Sequence, residues 1–316
     1  MNNMLQKVHK FCTSPSYRFD ILANLGAYNH LPDDEFSLRR YQNRTGRVLN
    51  LDDPLLFNEK LQWLKIYDRN PKYTVMADKY RVKDYVANRI GSNHVVPTYF
   101  AWKDPREIDL DKLPEQFVIK CNHNSGDGMY ICKSKSEINY GQMVSKLSKA
   151  IKKDYYKTNR EWVYKNIPRV VFAEKYLNDS NEKKSHENEV GGLIDYKFYC
   201  FHGKPRFLYV GFANIIDNVK HDHLSFLSLE WEKVPFSRAD YPQLDEIPSK
   251  PRCLENMIQY ASQLSQGIPF VRVDFFLVDN NIYFSEFTFT PGAGYGLFSP
   301  IEWEKEIGGW IDLPGK

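Results

Sequence analysis

Arg272, Asp274, Glu286 and Thr288 have the types and spacing to do chemistry. They fall in the run FVRVDFFLVDNNIYFSEFTFTPGAG, residues 270–294, where two apolar stretches flank Asp279-Asn280-Asn281. Asp and Asn tolerate the left-handed backbone of tight hairpins. With those three residues as the loop, Asp274 faces Glu286 and Arg272 faces Thr288, and alternation puts all four on one face. Directly opposed residues have Cβ atoms roughly 4.5–5.5 Å apart. Two carboxylates that close repel unless a proton or cation lies between them. Removing one is therefore expected to stabilise the ligand-free protein. Their hard oxygens suit Mg²⁺, and the flanking Phe, Val and Ile imply burial, where uncompensated charge is costly. An Arg272 ion pair on an exposed face is the commoner use of such a hairpin. Two additions favour chemistry: the strand continues into Pro291-Gly292-Ala293-Gly294, a backbone that a ligand can approach, and suitable lysines lie upstream.

Lys79 follows Asp78 at a helix start, and Lys120 ends the apolar run Phe117-Val118-Ile119. Beyond it, Asn122-His123-Asn124-Ser125-Gly126-Asp127-Gly128 precedes a second strand. Strand–loop–strand differs from the strand–loop–helix of a P-loop. Successive loop N–H groups form an anion nest, His123 and the asparagines add donors, and Ser125 and Gly126 belong to the same loop, expected to close over phosphates. Glu174-Lys175-Tyr176-Leu177 ends another strand, where a carboxylate and backbone amides could hold an adenine edge; a solvent-facing Glu is the plainer alternative.

These groups need elements to position them. A Phe57, Leu61, Leu64 stripe, with Trp63 beside it, predicts a helix over 57–67. Asp78 caps a helix running to Ile90 and ended by Gly91. Strands are expected at 95–102, 117–120, 129–132 and 169–177, helices at 137–153 and 254–264. A hairpin over 195–212 turns at His202-Gly203-Lys204-Pro205. Residues 178–189 hold no apolar side chain and read as a surface loop. The first fifty residues read as short helices and loops, so the class is α+β.

The 316 residues are 42% hydrophobic and 15% aromatic, which excludes a disordered chain, and a formal charge of +3 gives no general nucleic-acid footprint. Five cysteines without a C-x-x-C pair read as reduced thiols of a cytoplasmic protein. No stretch reaches the roughly 18 apolar residues of a membrane span, and no apolar segment follows the basic N-terminus as in a cleaved signal.

In order, Asp78-Lys79, Phe117-Val118-Ile119-Lys120, the glycine-containing loop, Glu174-Lys175-Tyr176-Leu177, Arg272-Val273-Asp274 and Glu286-x-Thr288-x-x-Pro291-Gly292 resemble the ATP-grasp superfamily. FNEKLQW (57–63), ADKY (77–80), DYKF (195–198), FHGKP (201–205) and FTFTPGAG (287–294) resemble, more closely, the TupA-like ATP-grasp family named for teichuronopeptide biosynthesis. The resemblance implies two α+β lobes clasping ATP: a mainly helical region over 1–95, a small lobe over 96–176 with the glycine-containing loop, and a large lobe over 177–316 with the metal hairpin. It implies that Lys79 and Lys120 contact phosphates, with His123, Ser125 and Gly126 beside them. Glu174 and, through its backbone, Leu177 then hold adenine, Asp195 faces the ribose, Lys175 and Lys197 belong to the nucleotide site, and Asp274 and Glu286 lie on Mg²⁺. Thr288 stands where many relatives have Asn and offers a single side-chain oxygen. A Rossmann-like domain often precedes the ATP lobes; only a short helical region is available here.

The implied reaction is carboxylate activation by ATP followed by amine attack. It needs no protein nucleophile, only charge neutralisation by Mg²⁺, Lys79, Lys120 and Arg272, and alignment. The implied substrates are an acidic residue of a surface polysaccharide and an amino acid or amino sugar, handled on the cytoplasmic side by a protein peripherally associated with envelope synthesis. Competing readings are a kinase, a glycosyltransferase using Asp109-Leu110-Asp111 as its metal triplet, and a non-catalytic nucleotide-binding scaffold with no need of paired acids.

Overall fold

The computed structural model describes residues 2–124, 128–178, 193–216, 219–238, 240–244 and 246–315. Six helices come first: α1 (Asn2–Thr13), α2 (Pro15–Asn24), α3 (Asp33–Thr45), α4 (Phe57–Tyr67), α5 (Pro71–Ala77) and α6 (Val82–Ile90). Strands β1 (Thr98–Trp102), β2 (Phe117–Cys121) and β3 (Met129–Cys132) lead to α7 (Tyr140–Lys152), α8 (Tyr155–Asn159) and β4 (Val171–Lys175). The remainder is β5 (Asp195–Phe201), β6 (Lys204–Ile216), β7 (Val219–Ser228), β8 (Ser237–Arg238), α9 (Leu254–Ser265), β9 (Phe270–Val278), β10 (Asn281–Thr288), β11 (Phe298–Ser299) and α10 (Glu302–Gly309). The class is α+β, as expected.

An antiparallel sheet ordered β1-β4-β2-β3 packs against α7. Phe117, Ile119 and Cys121 alternate along β2 toward Met143, Leu147 and Ala150 of α7, which leaves Val118 and Lys120 on the other face. The larger antiparallel sheet runs β10-β9-β5-β6-β7. Tyr196, Phe198 and Cys200 of β5 and Val271, Val273 and Phe275 of β9 pack on Met257, Ala261 and Leu264 of α9 and on Met76, Val82 and Val86 of α5 and α6. The intervening residues point the opposite way. At one end of that opposite face, Phe57, Tyr199, Phe201, Phe207, Phe270 and Phe298 form an aromatic cluster under α4 and α10. Phe57 meets Phe270 edge-on at 5.1 Å, and truncating such a ring costs about 3–5 kcal/mol.

Two hairpins of this sheet, β5–β6 and β9–β10, turn more tightly than their sequences suggest. The expected loops were Asp279–Asn281 and His202–Pro205. In each the loop is two residues, Asp279-Asn280 (φ 49° and 63°) and His202-Gly203 (φ 49° and 80°). Two left-handed residues match the twist of the flanking strands, whereas a two-residue turn of right-handed residues splays them. A bulge follows within each strand: Ser285 in β10 takes up the one spare residue, and Arg206 in β6 takes up one of two. Past the bulge the register is the one expected: Asp274 pairs with Glu286 and Arg272 with Thr288.

Cys12, Cys121, Cys132, Cys200 and Cys253 are free thiols. Among the described residues no helix is long and apolar enough to cross a membrane.

Candidate active site

Two cross-strand rows build the site. One is Glu286–Asp274–Lys197–Tyr209 and the next is Thr288–Arg272–Tyr199–Phe207, each running β10-β9-β5-β6. Asp274 is wholly buried. Arg272 grips it through Nε–Oδ1 at 2.7 Å and Nη2–Oδ2 at 2.6 Å, and Lys197 Nζ lies 3.3 Å from Oδ2. Lys197 also meets Asp195 at 3.2 Å. Lys79 reaches in from the turn before α6 to Glu286 Oε2 at 3.1 Å, while Glu286 Oε1 lies 3.6 Å from Arg272. The Thr288 hydroxyl accepts a hydrogen bond from Arg272 at 2.9 Å, so its single oxygen is spent on the guanidinium.

The expected repulsion between the acids is more than cancelled. Burial pushes the Glu286 carboxyl up, but Lys79, Lys197 and Arg272 outweigh it and hold it at about 2. Burial works against the charges of Lys197 and Arg272 as well, yet Asp274 leads the groups that raise both. Asp195 is raised by burial, with Lys197 opposing. Three acids and three cations thus neutralise one another, so removing a carboxylate here is expected to destabilise the protein, whereas the two acids considered alone led to the opposite expectation.

A second cluster lies on the four-stranded sheet. Glu174, 5% exposed, is paired with both Lys120 and Lys83, the latter at 2.7 Å. Lys83 donates further to Thr98 Oγ1 at 2.7 Å and to the Val96 carbonyl at 2.9 Å. Burial opposes ionisation of Glu174, but the two lysines win and lower its pKa. Far from facing solvent, Glu174 holds Lys120 in place. Lys175 is exposed, its N–H bonded to the Pro97 carbonyl, and Leu177 is half-buried just beyond β4.

The residues entering the glycine-containing loop turn inward. Asn122 is 1% exposed and fully employed: its amide donates to Asp78 (2.9 Å) and the Pro168 carbonyl (2.8 Å), and its carbonyl accepts from Val170 N–H (2.9 Å). Lys79 N–H donates to the Asn122 carbonyl at 3.0 Å, so the two lysine-bearing turns are stitched together. Asp78 accepts from the N–H groups of Tyr80 and Arg81. His123, expected to present its ring to phosphate, is 1% exposed, with Nε2 3.1 Å from the Lys153 carbonyl, and burial lowers its pKa. That ring is a packing group. Ser125 and Gly126, also assigned to this loop, lie outside the described residues. Gly128 has φ 79°, and a Cβ there would sit 2.7 Å from Ala150 and 2.8 Å from the Cys121 sulfur.

The Pro291–Gly294 turn holds three successive left-handed residues, Gly292 (φ 59°), Ala293 (54°) and Gly294 (73°). Ala293 carries strain of order 1 kcal/mol there. What maintains it is α4. Gln62 donates to the carbonyls of Ala293 (3.0 Å) and Gly294 (2.8 Å). Asn58 donates to the Gly296 carbonyl (2.8 Å) and to buried Glu304 (2.9 Å), which also accepts the N–H of Phe298 (2.7 Å). FNEKLQW is therefore a clamp: Phe57 and Leu61 in the core, Glu59 accepting the N–H groups of Leu55 and Leu56, Asn58 and Gln62 on the turn. Behind it, the Thr290 hydroxyl donates to buried Glu161. Burial raises Glu161 and lowers its neighbour Lys65. Sequence reasoning missed Lys83, Asn58, Gln62 and Glu161; only the motif resemblance pointed to the asparagine and glutamine.

Arg272, Glu286, Thr288, Thr290 and Gly292 line a cleft of about 1420 Å³. Asp109-Leu110-Asp111 lies in a short 3₁₀ segment, where Asp109 accepts the Asp111 N–H and pairs with Lys112 at 3.1 Å. It is a solvated connection.

No curated protein matches the chain. Among solved structures, D-alanine–D-alanine ligase from Bacillus anthracis is 17% identical over 74% of this chain and 63% of that chain, with a TM-score of 0.40. The enzyme of the same name from Helicobacter pylori is 15% identical over 81% and 69%, TM-score 0.41. The ATP-grasp ligase PsnB, complexed with minimal precursor, is 10% identical over 80% and 64%, TM-score 0.40. The chain thus spans less than two thirds of the Bacillus anthracis and PsnB ligases. Residues 59–312 match the family described as TupA-like ATPgrasp, and the chain belongs to that family.

Proposed function

We propose that the protein is an ATP- and Mg²⁺-dependent carboxylate–amine ligase acting through an acyl phosphate. The observation that carries this reading is the facing pair Asp274 and Glu286, set among Arg272, Lys197 and Lys79 beside an open cleft. The donor set fits Mg²⁺: both groups are hard carboxylates, and Glu286 Oε1 has only a 3.6 Å contact. Among the described residues no group of three His, Cys, Asp or Glu could hold a metal ion, so a bound Mg²⁺ would take its other ligands from nucleotide and water. When bound, the ion neutralises phosphate charge and orients the γ-phosphoryl group.

The chain supplies the rest. Lys79 and Lys120 offer their remaining ammonium donors to phosphate oxygens beside their carboxylate partners, and Arg272 turns from Asp274 toward the transferred group. The acceptor carboxylate oxygen attacks the γ-phosphorus, the bond to the bridging β,γ-oxygen breaks, and ADP leaves. The amine nitrogen then attacks the acyl carbon and loses a proton as phosphate departs. Glu174 stays between Lys83 and Lys120, with Lys175 and Leu177 beside the adenine edge and Asp195 and Lys197 toward the ribose. Family membership, rather than geometry, supports the choice of a uronic or other acidic residue of a surface polysaccharide, of an amino acid or amino sugar as amine, and of the cytoplasmic face of the envelope.

With hydroxylamine as amine, a uronate acceptor should give hydroxamate, ADP and phosphate. Release of AMP, or transfer from a nucleotide sugar without ATP, rejects the ligase.

A further inference from the structure

The cleft lined by Arg272, Glu286 and Thr288 is also lined by Arg40 and Arg44 of α3 and by Arg238 of β8. None of these has a part in the chemistry above, and Lys79 and Lys120 do not line this cleft. Arg40 is 2% exposed, and its Nε and Nη1 make no hydrogen bond among the described residues. Its nearest carboxylate, Asp20, lies 3.4 Å away and is shared with Arg44 at 2.9 Å. Tyr295 also favours the Arg40 charge, but it is an uncharged phenol, and one acid between two guanidiniums leaves a net positive charge, an arrangement that costs stability unless something else answers it.

Arg238 is placed with more care than an ion pair needs. It is 6% exposed, forked onto Asp240 at 2.9 and 2.5 Å, and stacked on Tyr241 at 5.0 Å. A Cβ on Gly292 would come within 2.9 Å of its Nη2, and one on Gly296 within 1.9 Å. The guanidinium lies against backbone stripped of side chains, at the turn that faces the reacting groups.

We infer that Arg40 and Arg238 bind a second anionic group on the acceptor, a phosphate or a further carboxylate, while the first carboxylate lies at Arg272; Arg44 adds attraction. The preferred acceptor is thus a dianion or polyanion. This rests on the ligase reading for the first carboxylate only. Arg40 and Arg44 precede residue 59, where the family match begins, so half of the subsite belongs to the helical segment. Planar, permanently charged guanidiniums suit either anion.

Calorimetry without turnover tests this. Glucuronate, glucuronate 1-phosphate and a disaccharide of two glucuronates are titrated into the full chain, alone and with saturating Mg²⁺ and a non-hydrolysable ATP analogue. At least one dianion should bind tenfold or more tighter than glucuronate, about 1.4 kcal/mol, and keep that advantage with the analogue present. Which one does so separates phosphate from carboxylate. The advantage should fall below threefold in Arg238→Lys, which keeps charge but not the fork, and in Arg40→Gln. Arg44→Gln, half exposed and safe for folding, should reduce it two- to threefold. Equal affinities, no binding by any probe, loss of the advantage with the analogue, or an advantage intact in Arg238→Lys overturns the proposal. A persistent advantage without hydroxamate formation would overturn the ligase and leave the anion subsite standing.

Discussion

The two charge clusters are built to different balances. On the four-stranded sheet one acid, Glu174, serves two lysines. On the five-stranded sheet Asp195, Asp274 and Glu286 are matched by Lys79, Lys197 and Arg272. A surplus positive charge attracts a polyphosphate without further rearrangement. A neutral set gives a polyphosphate no net attraction of its own, so it is suited to Mg²⁺ and phosphate arriving together. On the proposed reading, that difference would have the first cluster set nucleotide affinity and the second the chemistry.

The largest effect should come from Asp274→Asn, with ADP release falling about 10³-fold. Stability should also drop by about 3 kcal/mol in a denaturant titration, since Arg272 and Lys197 lose their shared partner. Full turnover would remove the second cluster from the reaction. Lys120→Ala comes next: KM for ATP should rise at least tenfold, more than kcat falls. A pure kcat effect would erase the division of labour. The third test uses pH. Glu286 is held at about 2 against an ordinary 4.5. A carboxyl lowered on folding contributes stability above its unfolded pKa and loses it as pH falls through the folded one. Between pH 4.5 and 2 the wild type should lose about 3 kcal/mol more than Glu286→Gln. Parallel pH profiles would mean that Lys79, Lys197 and Arg272 do not stabilise the carboxylate. The smallest effect is expected from Gln62→Ala: about 1 kcal/mol of stability and a few-fold fall in kcat with KM for ATP unchanged, because the turn lies away from the Lys120 cluster.

The sequence reading succeeded and failed for local reasons. The pairing of Asp274 with Glu286 was legible because only a hairpin could join two such apolar runs. The turn was misjudged by one residue, and the bulge at Ser285 restored the register. That bulge has a trace in the sequence: Ile282, Phe284, Phe287 and Phe289 are spaced two, three, two, and the odd gap marks the extra residue. His123 misled because a histidine in a glycine-containing loop resembles a ligand group, and its contact with the Lys153 carbonyl is thirty positions away. Repulsion between the acids was predicted from two residues alone; Lys79 and Lys197 come from other elements. Arg40 gave no signal, since its unanswered charge exists only once Asp20 is shared.

The clamp of α4 on the turn also orders events in time. Asn58 meets Glu304 across 246 positions, and Gln62 meets Gly294 across 232. A ribosome adds roughly 5–20 residues per second, so α4 emerges roughly 10–50 s before its partners exist. Through that interval Asn58 and Gln62 have only water to bond, and the strained turn cannot be held. The nascent chain can complete its four-stranded sheet early, but the left-handed backbone of the Pro291–Gly294 turn is assembled last, by closing a loop of most of the polypeptide.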